Sequence, residues 1–410
     1  MSSRRTIERA LKRNLAWFRR SGIIDPADGR WGVAERIALT ENNEALRKMC
    51  EHFPAWTDHN GYCIVEQRRA DCNFQTAYLF LLAHDLTGDK RHYDLAAELL
   101  EFLYCRSGLL ARVPTPFIPG SWNWSHIKRG SVVYFDDEAW CVFLQLEIAR
   151  RHPEFDEKYD MRHHAMILAG ELRRALERAF RGDARDYENY RVDPDGEWLG
   201  RIDLPHWGAI GCLGIARAYA EKPESESANF IHAYFDAVDR NGDALNASEQ
   251  AYALIGLCAA FAYLKDETFR QQAGRRAEAL IARMDPNSGN IPAEHYEAPA
   301  GANLVDMIYT VNWALLGLCA ARNFRPEFQT AYERVLNLVL SIQDTSPQPQ
   351  FHGCWRGMFD LDAGTWGGGN RFEGGAASIY SGWTNAPVSW VLANELNGKT
   401  VFDGKCFFQQ

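Results

Sequence analysis

Hydrophobic and polar positions along this chain sort into two kinds of segment that take turns. The first kind is apolar nearly all round and rich in small residues. It comprises "FQTAYLFLLAHDLTG" (74–88), "EAWCVFLQLEIARR" (138–151), "HWGAIGCLGIARAYA" (206–220), "SEQAYALIGLCAAFAYL" (248–264), "DMIYTVNWALLGLCAAR" (306–322) and "SIYSGWTNAPVSWVLANEL" (378–396). A helix with no polar face has to be covered on every side. The second kind repeats apolar residues at three- and four-residue spacing between charges, the pattern of a surface helix with one buried stripe. It occupies 89–104, 162–180, 228–240, 267–284 and 327–343, and the amphipathic segment 5–19 supplies a sixth. Inner and outer helices in alternation predict an all-α fold: an (α/α)6 toroid forming one domain over 1–410, with an open α-solenoid as the alternative.

The connections favour the closed ring. Several of those leading into inner helices share an acidic, Gly-containing turn, as in "DPADGRWG" (25–32), "DPDGEWLG" (193–200) and "DPNSGNIP" (285–292). Asp, Pro, Asn and Gly suit tight turns. The aromatic and polar loops that follow them would crowd one face of a ring, where loops carry function. Pro387 falls inside the last inner segment, which predicts a helix that is broken or begins late.

Composition narrows the partners. Thirteen Trp, 16 Tyr and 22 Phe exceed what a core of this size needs, and surplus aromatics often wall sites for sugars and other partly apolar ligands. A net charge of −9 argues against nucleic acid or an anionic membrane. No 18-residue apolar span is present. The N-terminus, "MSSRRTIERALKRNLAWFRRSG", lacks an apolar signal core. The ten cysteines stand singly with no C-x-x-C, as buried free thiols do, so neither a disulfide framework nor a zinc site is expected, and the expected compartment is the cytoplasm. Phosphate-loop, G-x-S-x-G and H-E-x-x-H patterns are absent; no cofactor and no metal are expected, and a homo-oligomer stays open.

The candidate chemistry sits at the starts of the inner segments. "VVYFDDEAW" puts Asp136, Asp137 and Glu138 at the mouth of one of them. Acids in a first turn can simply answer the helix dipole. In a toroid, however, these starts converge on one end of a central cavity, where Asp71, Asp203, Glu249, Asp306 and Glu373 would join them. Neighbouring helical side chains diverge by about 100°, so one of Asp136 and Asp137 is expected to line the cavity and the other to cap the helix or orient a neighbour. Glycoside hydrolysis needs two carboxyl groups. Asp136 or Asp137 is expected as one, beside Tyr134, Phe135 and Trp140, with Asp203, Glu249, Asp306 or Glu373 as the partner.

The stretch "YFDDEAWCVFLQLEIARRHPEFDEKY" resembles the one carrying the catalytic Asp of unsaturated uronyl hydrolases, and also the Asp-Asp pair of endo-mannanases. "CNFQTAYLFLLAHDLTGDKRHYDLAAELLEFL" is similar to the inner–outer hairpin of these enzymes, with "LTGD" as its turn. Both belong to the six-hairpin glycosidases, toroids in which the resemblance implies carboxylate acid/base cleavage of terminal, glucuronide-type residues from oligosaccharides. Substrate contacts are expected from Arg69, Arg201 and Arg371, whose forks suit a carboxylate. Others are expected from Trp124 and His126 in "GSWNWSHI", from His206 and Trp207, and from Tyr380 and Trp383 in the glycine-rich stretch before the last helix. The rivals are a sugar epimerase or isomerase working through His126, His206, His295 or His352, and a polysaccharide lyase using Tyr309, Asn312 and His295. A non-enzymatic solenoid would show no acid cluster in one cavity.

Overall fold

The computed structural model describes residues 3–51, 56–59, 61–111, 118–126, 132–180, 191–192, 196–295, 298–301, 303–368 and 375–402. The first seven helices are α1 (Arg4–Arg20), α2 (Glu44–Glu51), α3 (Ala70–Thr87), α4 (Lys90–Glu101), α5 (Phe135–Arg151), α6 (Pro153–Tyr159) and α7 (Met161–Ala179). Then come α8 (Pro205–Glu221), α9 (Ser225–Arg240), α10 (Ala247–Leu264), α11 (Glu267–Arg283), α12 (Val311–Ala321), α13 (Pro326–Ser341) and α14 (Ala386–Leu396).

The two segment types become two concentric layers. The apolar helices α3, α5, α8, α10, α12 and α14 pack each against the next, and α14 returns to α3, so the ring closes and the open solenoid is excluded. Burial follows the sequence pattern: every residue of α5 from Phe135 to Ala149 is buried, whereas α4 buries one stripe, Leu95, Ala96, Leu99 and Leu100. The outer layer is α4, α7, α9, α11, α13 and α1, the last packing on α13 and α14. Small residues let the inner helices approach. A Cβ on Gly256 of α10 would lie 2.5 Å from the Ala209 carbonyl oxygen of α8, so no larger residue fits.

Short strands, which the all-helical expectation did not include, fasten the loops at one mouth of the ring. A four-stranded antiparallel sheet runs Ser378–Tyr380, Arg36–Leu39, Tyr62–Val65, Trp56–Asp58, with Arg36 opposite Tyr380. It ties the N-terminal loop to the chain entering α14. The last inner helix does begin late: a π-helical turn, Ser381–Asn385, precedes Ala386, and Pro387 sits in the first turn of α14, where its missing N–H costs nothing. The ring's axis is plugged by aromatics, with Trp140 stacked on Trp313 at 5.7 Å and close to Trp390 at 5.9 Å. Many of the surplus aromatics are therefore packing. Cys72, Cys141, Cys212, Cys258, Cys319 and Cys354 are buried free thiols, and among the described residues no helix is long and apolar enough to cross a membrane.

Candidate active site

Above the aromatic plug, at the N-terminal ends of the inner helices, lies a cavity of ≈ 200 Å³. That is about seven waters' share of liquid volume, on the scale of one sugar ring. Trp124, Tyr134, Trp207, Tyr309, Tyr380 and Trp383 form aromatic walls, and Glu35, Arg69, Asp136, Asp137 and His206 supply the ionisable groups. Trp124 and Trp383 flank Arg69, each ring about as far from its guanidinium, at 5.5 and 5.6 Å.

The three acids of the opening turn of α5 do not cap that helix, whose N-cap residue Tyr134 makes no side-chain cap bond. Both Asp136 and Asp137 line the cavity, against the expectation that only one would. The helix meets the cavity end-on, so side chains that diverge around its axis still reach the same space. Glu138 points away and accepts the Trp122 N–H with both oxygens at 3.1 Å, which fixes the loop carrying Trp124.

Arg69 is the electrostatic centre. Its Nε and Nη2 grip Asp71 at 3.0 and 3.1 Å, Nη2 also donates to Asp137 at 2.6 Å, and Nη1 donates to Glu35 at 3.3 Å. All four side chains are at least 89% buried. One guanidinium cannot neutralise three carboxylates. Two like charges about 5 Å apart repel by roughly 3 kcal/mol at an effective dielectric near 20, or roughly two pKa units. Burial raises Asp137 well above the ordinary carboxylate range, and the charges of Asp71, Asp136 and Glu138 add to that against the pull of Arg69. Burial likewise raises Asp71, opposed chiefly by Arg69. With Oδ1 of Asp137 on Arg69, Oδ2 is the oxygen left to carry a proton towards the cavity.

Across from this hub, Oδ2 of Asp136 sits 3.2 Å from Nε2 of His206, while its Oδ1, fully buried, has no hydrogen-bond partner. The His206 ring is held between Trp207 and Tyr252, each stacked at 4.6 Å. Its backbone N–H donates to Glu249 at 2.8 Å. Burial pushes Glu249 up to about 7, with His206 opposing.

Other expected residues are placed elsewhere. Asp71 and Glu249 are buried behind Arg69 and His206 and do not reach the wall. Asp203 pairs with Arg201 at 2.5 Å outside the cavity lining. Asp306 is fully buried and accepts from the Ile308 and Tyr309 N–H groups and the Thr310 hydroxyl, which anchors the turn into α12. Asn312 binds the Ile308 and Trp383 carbonyls. His126 accepts the Arg68 N–H outside the lining. Arg371 and Glu373 lie outside the described residues. Glu35 and Ile308 line the cavity without having been singled out. For Glu35 the available signal was a charge pair, Glu35-Arg36, interrupting the apolar run "GVAERIAL". Trp383 is held by its Nε1–H on Asp71 at 3.0 Å. Its π-turn lies so close to α3 that a Cβ on Gly382 would sit 2.7 Å from the Cys72 Cα. Among the described residues no group of three or more His, Cys, Asp or Glu could hold a metal ion.

Solved structures with the same ring include a D-mannose isomerase (TM-score 0.62, 9% identity, 96% of this chain and 98% of that one). An unsaturated glucuronyl hydrolase from a Bacillus species aligns at TM-score 0.59 and 12% identity over 98% of this chain and all of its own, 100%. The fold these structures share with the chain is the (α/α)6 toroid. A cellobiose 2-epimerase from Bacillus thermoamylovorans shares it at TM-score 0.55 and 12% identity, over 80% of this chain and 88% of that one. Identities this low carry the toroid fold and not the activity. No protein-family model and no curated protein sequence matches the chain.

Proposed function

We propose that the chain is a glycoside hydrolase that removes a terminal sugar residue from an oligosaccharide or glycoside. The observation that carries this reading is the excess of carboxylate over cation around Arg69, which together with burial raises the pKa of the cavity-facing Asp137 and favours its protonated form. Asp137 then protonates the glycosidic oxygen as the bond to the anomeric carbon breaks. Asp136, steadied by His206, takes the proton from the water that attacks that carbon. The aromatic walls hold the sugar's CH-rich face, and the small cavity suits one ring and so an exo mode of action. The fork of Arg69 is occupied by the protein's own acids and Arg201 by Asp203, so a substrate carboxylate would depend on Arg371.

The specific observation favouring a second reading is His206. A buried imidazole against Asp136 is also the equipment for moving a proton at the carbon beside a sugar carbonyl, as an epimerase or isomerase does. One experiment separates them: aryl glucuronides, unsaturated uronides and neutral glycosides are incubated in D₂O and followed by NMR, beside free mannose, glucose and cellobiose. Aglycone release without deuterium at C2 supports the hydrolase. Deuterium incorporation into a free sugar, with no glycoside cleaved, overturns it in favour of the isomerase. Among cleaved substrates, a uronide preference lost in Arg371→Met assigns the carboxylate contact.

A further inference from the structure

At the other end of the ring, about 27 Å from the cavity along the 18 residues of α3, lies a groove of ≈ 630 Å³ between α1, the end of α3 and the start of α4. Its volume falls in the ~300–1,000 Å³ range of small-molecule sites, three times that of the catalytic cavity. Its floor is apolar, with Leu11, Leu15 and Leu86, and its rim is basic.

The charges on that rim do not balance. Lys12 is paired with Glu8 at 2.7 Å and Arg91 with Asp89 at 2.6 Å. Arg19 and Arg20 also line the groove, and among the described residues neither has a carboxylate within ion-pair distance. The half-buried Arg19 guanidinium donates instead to the Arg91 carbonyl at 2.9 Å and meets Nδ1 of His92 at 3.2 Å. It lies over the Phe80 ring at 5.5 Å. Basic residues in a last helical turn answer the helix dipole, but that is about half a charge and one arginine suffices. Arg91 and an imidazole crowd Arg19 against the single opposing charge of Asp89, which Arg91 already engages, so a further anion is favoured there. The strain registers at His92, which is pushed down to about 4, first by burial and then by Arg19 and Arg91, against Asp89.

We propose that this groove binds a phosphorylated organic small molecule, its phosphoryl group between Arg19, Arg20 and His92 and its body on the apolar floor. Two unpaired arginines call for a dianion, and guanidinium forks match phosphate oxygens bidentately. The site is independent of what the ring cavity catalyses.

The test is isothermal titration calorimetry of the full chain in about 0.1 M NaCl, where screening reaches only ~10 Å, with glucose 6-phosphate and inorganic pyrophosphate as probes and glucose as control. The expected result is binding of glucose 6-phosphate, weakened roughly tenfold or more in Arg19→Met, whose side chain still covers Phe80, and in the exposed-site variant Arg20→Glu. Circular dichroism and basal activity should stay unchanged in both, since neither residue touches the cavity. Saturation should also raise the His92 pKa, read by imidazole NMR among Arg19, Arg91, Asp89 and His84. Tighter pyrophosphate binding with the same variant losses would assign an inorganic source to the same phosphoryl site. No binding by either probe up to about 1 mM, or equal binding by wild type and both variants, overturns the proposal.

Discussion

Arg69→Met removes the one cation that Glu35, Asp71 and Asp137 share while keeping most of the side chain's volume. The structure supplies the magnitude. Arg69 bonds its three acids at 2.6 to 3.3 Å with only 9% of its side chain exposed, so the site resembles a buried ion pair from which one partner is taken, a loss of about 3–5 kcal/mol. In a chain of 410 residues unfolding entropy makes that a fall of about 4–6 °C in Tm. The pH dependence carries the sign. Losing the cation lifts the folded-state pKa values of Asp71 and Asp137 further above their unfolded values near ~4. The folded state then binds more protons than the unfolded one, and stability falls as pH rises. The deficit should be smaller near pH 4, where the folded-state acids are protonated with or without Arg69, and should grow towards pH 8. Scanning calorimetry at both pH values checks this. A variant with wild-type Tm throughout, or one whose deficit is larger in acid, would refute the idea that Arg69 is the counterion of the cluster.

Three further outcomes follow from the same contacts. Glu249→Gln, still able to accept the His206 N–H, should stabilise the protein by about 3 kcal/mol at pH 8 and by nothing at pH 4. A carboxyl held at about 7 against an ordinary 4.5 costs stability as pH rises through that interval; urea unfolding at the two pH values reads it. Gly382→Ala should push the π-turn off Cys72, cost about 1–3 kcal/mol and lower turnover through a displaced Trp383, visible as changed tryptophan fluorescence. Glu138→Ala frees the backbone of Trp122 and should raise KM more than it lowers kcat, because it loosens the Trp124 wall and leaves Asp136 and Asp137 in place.

The twelve helices of the two layers were legible because each layer writes its burial into the spacing of its residues: the buried inner helix α5 has no polar face, while α4 shows one stripe. The convergence of Arg69, Asp136, Asp137 and His206 was legible too, since a parallel ring of inner helices must bring their starts together. What escaped was pairing. Nothing local in "EQRRADCNF" says that Arg69 spends its fork on Asp71, two residues on, and on Glu35 and Asp137 from other elements. Asp203 and Asp306 have the same helix-mouth signature as Asp137, yet one meets a neighbouring arginine and the other three donors of its own turn. A polar residue at a helix start is marked by sequence as buried or capping; which partner claims it depends on loops whose paths sequence does not specify. The strands that bring Glu35 to the cavity are three or four residues long and carry no periodic signal.

The central claim is that Asp137 is the proton donor. Its most direct test is the leaving-group dependence of Asp137→Asn beside Asp136→Asn on a series of aryl glycosides of whichever sugar the wild type cleaves. A missing general acid costs ~10²–10⁴-fold when the leaving group needs a proton, and almost nothing when it is an activated dinitrophenolate. The account predicts that Asp137→Asn loses at least ~10²-fold on alkyl and unactivated aryl glycosides while nearly keeping dinitrophenyl turnover, and that Asp136→Asn loses rate on all of them alike. Equal losses across the series for Asp137→Asn, or full activity in both variants with intact folding, would contradict it.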